Sequence, residues 1–254
     1  QNSPSIFQLP TMPPQTTPPS NPLKLWKITL RCSVPLLVLL MLLLLYNSLF
    51  SPTATYIRRI ESLGGNVYRE KRFPNMIAEL LPSAIGEGRI VGLYIENPAP
   101  QESEIAQWLQ AFPNLQRISL WNTQTTDELI DEIMAHRELQ FLWLCKTNVT
   151  DVGIEKLSRQ SSLSGLYLDE TPITDEAIAH LVKLSQLNRL SCANTNLTDA
   201  SVDHFLRMPD LGQLDVHGTK ISQPALDRLR QHQITLTPNL PGPFPYPFNH
   251  SLLR

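Results

Sequence analysis

Residues 163–175 read LSGLYLDETPITD, and the same order of residue classes recurs on both sides of them. LQRISLWNTQTTD starts at Leu115, LQFLWLCKTNVTD at Leu139, LNRLSCANTNLTD at Leu187 and LGQLDVHGTKISQ at Leu211. The five leading leucines are 24 residues apart. A fixed period of this size with internal leucine spacing specifies a solenoid, in which each repeat is one coil that buries its apolar side only against its neighbours. The common pattern is L-x-x-L-x-L-x-x-T-x-(I/L/V)-(T/S)-D. A looser copy, IVGLYIENPAP, starts at Ile90 and is one residue longer.

Each class has a physical task. Alternation of the L-x-L type puts Leu142 and Leu144, or Leu166 and Leu168, on the inner face of a short strand. At the ninth position stand Thr123, Thr147, Thr171, Thr195 and Thr219. There the chain leaves the strand, and a hydroxyl can bond backbone groups that the turn leaves open. Val149, Ile173, Leu197 and Ile221 then plug the core after the bend. Thr150, Thr174, Thr198 and Ser222 fit helix N-caps, and the Asp that follows the three threonines suits the positive helix end. Pro224 falls at an early helical position, where its missing N–H costs nothing. Two further columns keep the same period: Ile130, Ile154, Ile178, Val202, Leu226, and Ile133, Leu157, Leu181, Phe205, Leu229. Spaced by three, they form the inner stripe of each helix.

On these residues the chain resembles leucine-rich repeats, of the short type whose corner reads T-x-(I/V/L)-T-D. It is akin to the cysteine-containing subclass, with Thr where that subclass often has Cys, so the likeness is to the scaffold and not to the F-box adaptors that carry it. Together with the lead-in IRRIESLGGNVYRE and an apolar segment before it, the repeats resemble the membrane-anchored leucine-rich-repeat proteins of planctomycete bacteria, over roughly residues 27 to 236. The resemblance implies a curved α/β solenoid, one short strand plus one helix per coil, with an interaction role. It supplies no catalytic residues.

Outside the repeats the composition changes. Most of the 22 prolines lie at the two ends. Residues 1–31 are expected to be a disordered, proline-rich tail, since residues 1–22 hold seven prolines and no charge. From Cys32 to Phe50 no residue is charged. As a helix this stretch spans roughly 28 Å, close to the hydrocarbon thickness of a bilayer. Residues 32–50 are therefore expected to form a single transmembrane helix, retained as an anchor. Lys24, Lys27 and Arg31 precede it and Arg58 and Arg59 follow, a bias that puts the repeats on the non-cytoplasmic side. Residues 51–89 read as an N-terminal cap. Ile57, Ile60 and Leu63 share a helical face before Gly64-Gly65, NVYRE is a short strand, and FPNMIAELLPSAIGEGR suggests a further helix. Residues 90–236 are the repeat domain. Residues 237–254 form a second proline-rich tail, which either caps the last coil with its aromatics or is disordered.

A net charge of −2 gives no basic excess for nucleic acid. Three cysteines at wide spacing make neither a disulfide framework nor a zinc pattern, and no cofactor is expected. His180 and His204 lie one repeat apart, too far for one metal, and helix-end charge compensation accounts for Asp151, Asp175 and Asp199. GEGRIVG precedes a strand instead of following one, which excludes a dinucleotide loop. Ser191, His217 and Asp215 offer the elements of a hydrolase without any nucleophile motif, so no enzyme is expected. Asn148-Val-Thr and Asn196-Leu-Thr match glycosylation acceptors but arise from the corner pattern itself.

Strand positions between the core leucines face the concave side, and successive strands lie about 4.8 Å apart, so one repeat position makes a ladder. Trp121, Phe141, Trp143 and Tyr167 converge there on one patch, flanked by Arg117, Asp169 and Arg189. Contiguous exposed aromatics with nearby charges are what interface centres look like. The expected function is recognition of a protein or peptide by this concave patch, without catalysis. The alternatives are a structural envelope protein whose solenoid self-associates through the same patch, or aromatics that are covered by a terminal segment.

Overall fold

The computed structural model describes residues 38–39, 41–42, 52–70, 89–96, 100–238 and 240. Contacts divide the chain at residue 47 into two units. Of the first, Val38, Leu39, Met41 and Leu42 are described; they are helical and exposed. Among the described residues no helix is long and apolar enough to cross a membrane. The rest of the expected transmembrane span, the 1–31 tail, the helix expected after Arg69 and most of the 237–254 tail lie outside the described residues.

The second unit is built on an eight-stranded sheet whose strands follow one another in sequence order. Helix α1 (Pro52–Ser62) leads into β1 (Asn66–Arg69), which pairs antiparallel with β2 (Ile90–Ile95). From β2 onward every pair is parallel: β3 (Arg117–Leu120), β4 (Phe141–Trp143), β5 (Gly165–Tyr167), β6 (Arg189–Ser191), β7 (Gln213–Asp215) and β8 (Thr235–Leu236). Between the strands run α2 (Glu102–Ala111), α3 (Ile130–Ile133), α4 (Asp151–Leu157), α5 (Asp175–Leu181), a 3-10 turn (Asp199–Ser201) continuing into α6 (Val202–Phe205), and α7 (Gln223–Gln231). The coils keep the sequence period without a slip: Leu142 pairs with Leu166, Leu166 with Leu190 and Leu190 with Leu214.

Apolar burial follows the columns. The strand leucines 142, 144, 166 and 168 and the helix residues Ile130, Ile154, Ile178 and Val202 are fully buried, whereas Leu226 in the last coil is half-buried. On about 25 cal/mol per Å² of apolar surface, this continuous core dominates the stability. Ile60 of α1 is buried against the same core, with Ile57 and Leu63 beside it, and Gly64 stops the helix at φ +81°. The first coil departs from the pattern. Its plug is Thr125, whose Oγ1 lies 2.8 Å from that of Thr123, so two hydroxyls satisfy each other where other coils bury an aliphatic.

The corner is wired twice. Within each coil the ninth-position Thr hydroxyl donates back three residues: Thr123 to Leu120 O (2.8 Å), Thr147 to Leu144 O (2.6 Å), Thr171 to Leu168 O (2.5 Å), Thr195 to Cys192 O (2.6 Å) and Thr219 to Val216 O (2.6 Å). Between coils, the corner Asp clamps the next cap. The Asp127 carboxylate accepts from Thr150 N (2.8 Å) and Oγ1 (2.6 Å), and Asp151 does the same for Thr174, Asp175 for Thr198 and Asp199 for Ser222. Glu102 plays this part for Thr126 in the looser first repeat. The Asp stands in the first helical turn, as expected, and its oxygens also serve the following coil. Each cap hydroxyl, while donating to the Asp, accepts from the helix: Thr150 from Val152 N, Thr174 from Glu176 N and Thr198 from Ala200 N, all at 3.3 Å. Ser222 makes no such cap. Its backbone sits at ψ 156°, whereas the threonine caps sit near −175°.

One element of the corner has no single residue type. The eighth position is left-handed in the five coils that start at Leu115 to Leu211: Asn122, Lys146, Glu170, Asn194 and Gly218, with φ between 55° and 70°. Asn and Gly adopt this readily, whereas Lys and Glu pay on the order of 1 kcal/mol.

Candidate functional site

The sheet face opposite the helices carries the fifth-position ladder Tyr94, Ser119, Trp143, Tyr167, Ser191, Asp215. Trp143 and Tyr167, neighbours on β4 and β5, stack at 4.9 Å with planes 9° apart. Phe141 lies 5.9 Å from Trp143 at 24°. Trp121 packs on the same group from the coil before. Parallel in-register strands impose this stack, since the fifth-position Cβ atoms of adjacent coils stand one strand spacing apart. Gly165 makes room for it: a Cβ there would lie 2.5 Å from Phe141 Cδ1, so the Phe141 ring rests over bare backbone.

The expectation of an exposed patch is corrected. Trp143 retains 5% of its surface and Tyr167 2%, while Phe141 and Trp121 are half-buried. What lies against them includes Leu240, itself buried, which joins Trp143, Cys145 and Tyr167 in a cluster separate from the main core. Ser119 and Ser191 are buried too, each flanked in the ladder by a large aromatic neighbour, Trp143 or Tyr167. Leu240 was not singled out by the sequence reading. Its signal was a leucine between prolines in PNLPG, immediately after the last strand.

The charged residues named with the patch separate into different roles. Arg117 reaches away from the stack and lies over the Tyr68 ring, 5.8 Å from its centroid. Asp169 is turned into the face as a brace. Its carboxylate accepts from Ser191 Oγ (2.5 Å), Ala193 N (2.7 Å) and Cys145 Sγ (3.5 Å). Burial pushes the Asp169 carboxyl above its usual range, against the bonds from Ser191 and Ala193. Arg189, half-buried, is adjacent to the Tyr167 phenol. That phenol is pushed up to about 12 by burial, with the Arg189 charge opposing. The Tyr167 hydroxyl is buried, and the Arg189 guanidinium is its polar neighbour. Lys146 adds a cation the sequence reading did not use: its Nζ is 5.4 Å from the Trp121 ring centroid and 3.3 Å from Glu170 Oε1.

Cys145 and Cys192 are free and buried, and burial holds both thiols well above the usual range. At the far end of the ladder His217 Nδ1 lies 2.8 Å from Asp215 Oδ1, but the Ser191 proton is directed to the Asp169 carboxylate and not to an imidazole. The arrangement is therefore that of a braced strand face. Among the described residues no group of three or more His, Cys, Asp or Glu could hold a metal ion.

No protein-family profile matches the chain, and no curated protein matches it. Among solved structures it is similar to a leucine-rich-repeat protein of Leptospira interrogans, at 21% identity and TM-score 0.43 over 66% of this chain and 40% of that one. It is also similar to internalin C2 of Listeria monocytogenes, at 22% identity and TM-score 0.41 over 58% of this chain and 73% of that one. Actin-binding site 2 of leiomodin-1 is similar at 14% identity and TM-score 0.43, over 53% and 89%. The chain thus spans less than half the length of the Leptospira protein. The coils themselves, a short parallel strand, a left-handed corner and a helix in register from β3 to β7, make this region a leucine-rich-repeat solenoid.

Proposed function

We propose that the protein is a non-catalytic recognition protein whose sheet face binds a protein or peptide, centred on Phe141, Trp143 and Tyr167 with Trp121 and Arg189 at the rim. The observation that carries this reading is the stack itself. Three aromatics from two adjacent strands form a cluster apart from the main core, with an apolar side chain of a different segment lying against them. Large aromatic side chains gathered outside the main core, with a charged rim, are the make-up of an interface centre. In this reading residues 32–50 anchor the chain in a membrane, with the repeats on the non-cytoplasmic side. That part rests on the uncharged run of 19 residues and the flanking cations.

Site-specific photo-crosslinking in intact cells tests it. A photoreactive residue at Trp121 or Arg189 is expected to trap a foreign protein, while one at exposed Val152 on the helix side traps none. Adducts only between copies of this chain would replace recognition by self-association, and equal adducts from both faces would sink the proposal. Protease treatment of the same cells is expected to digest the repeats from outside.

A further inference from the structure

The cluster on the sheet face already has an occupant, and its position constrains what the face takes. Leu236 ends β8, and Leu240 lies against Tyr167 on β5 and Trp143 on β4. Three strand spacings separate β8 from β5, about 14 Å. Four extended residues span about 13 Å. The chain therefore leaves the rim after its last strand, through a turn at Pro238, and Leu240 comes to lie on the face beside β5 and β4.

The segment is suited to that path. In residues 237–254, TPNLPGPFPYPFNHSLLR, five prolines occur and no acidic residue. Leu240, Phe244 and Tyr246 each precede a proline, which biases them to extended conformations. An extended, proline-spaced segment has no internal hydrogen bonds and loses little entropy on docking, and its free carbonyls need donors. The face supplies flat aromatic rings, with the half-buried Arg189 guanidinium beside them as a donor.

We propose that the aromatic face binds extended, proline-spaced apolar peptide, and that residues 237–254 of this chain are its resident ligand, which a foreign partner must displace. This rests on the recognition reading above and names its ligand class. Leu240 is the anchor.

The test uses the full chain, its Leu240→Asp variant, a variant ending at Thr237, and a synthetic peptide of residues 237–254. The readouts are acrylamide quenching of Trp143, isolated by comparison with Trp143→Phe, and peptide affinity by calorimetry. Both altered chains are expected to show stronger Trp143 quenching. Both are expected to bind the peptide at least about tenfold more tightly than the full chain, which a tethered segment at millimolar effective concentration blocks against a ligand of about 100 µM. A peptide with Asp in place of Leu240 is expected not to bind. Should Leu240→Asp lose its circular-dichroism signal, the variant ending at Thr237 decides. Unchanged quenching, or equal peptide binding by all chains, would overturn the proposal. A crosslinked foreign partner that binds the full chain and Leu240→Asp equally would overturn the resident ligand while leaving the recognition reading intact.

Discussion

The corner side and the sheet face of this solenoid obey opposite rules. At the corner the coils that start at Leu139, Leu163 and Leu187 are alike: Thr back to the strand carbonyl, Asp forward to the next cap, an apolar plug between. Across the sheet no two neighbouring coils agree, and the fifth position runs Tyr, Ser, Trp, Tyr, Ser, Asp. What repeats is what each coil needs in order to stack. What does not repeat is free to vary, and here large aromatic side chains gather around Trp143.

The contrast can be broken experimentally. The largest effect is expected between the two sides, at Leu166→Ala, where a fully buried strand leucine is lost: about 2–5 kcal/mol of stability by chemical denaturation, with both sides failing together. Next, Gly165→Ala should force Phe141 from its place and cost about 1–3 kcal/mol. It should also weaken binding of the 237–254 peptide to the Leu240→Asp chain, whereas a corner substitution should not. Asp127→Ala and Asp175→Ala each strip the next threonine of two hydrogen bonds, and each is expected to cost about 1–2 kcal/mol. Near-equal losses at the two sites would confirm that the corner is periodic in energy as well as in sequence; a severalfold difference would break the comparison.

A pH effect follows from His136, which burial holds below its ordinary 6.5. Its Nδ1 lies 3.4 Å from Pro113 O, which can only accept, so Nδ1 carries a proton, while Nε2 is buried without a partner among the described residues and burial disfavours a second proton there. As pH falls, the unfolded chain takes up the proton first. Stability is therefore expected to fall from about pH 6.5 down to the lowered folded value and to be flat above. His136→Asn should flatten that slope in a denaturation series. The smallest effect is expected at the left-handed position. Lys146→Gly or Glu170→Gly should change stability by less than about 1 kcal/mol, the relief of strain offsetting the greater freedom of glycine in the unfolded chain.

The sequence made the strand-and-helix coil legible because leucine and isoleucine columns repeat wherever the core does. Three things escaped it. The left-handed corner was hidden because the backbone geometry of the turn, and not a side-chain class, enforces it; Asn122, Asn194 and Gly218 hinted at it, while Lys146 and Glu170 masked the column. The role of Asp127 was hidden because its partner, Thr150, is 23 residues away and on the next coil, whereas helix-end reasoning looks only within one. On the sheet face, the period could bring Phe141, Trp143 and Tyr167 together but could not say that Leu240 would lie over them. Nor could it say that Asp169 would turn inward to hold Ser191 and Ala193.

The last strand has a bearing on how copies of this chain meet. β8 is two residues long, Thr237 N still donates to Leu214 O at 3.0 Å, and Pro238 then has no N–H to offer. A sheet that ends in so short a rim gives another chain almost no ladder to join. End-to-end pairing of solenoids through the β8 edge is thereby disfavoured.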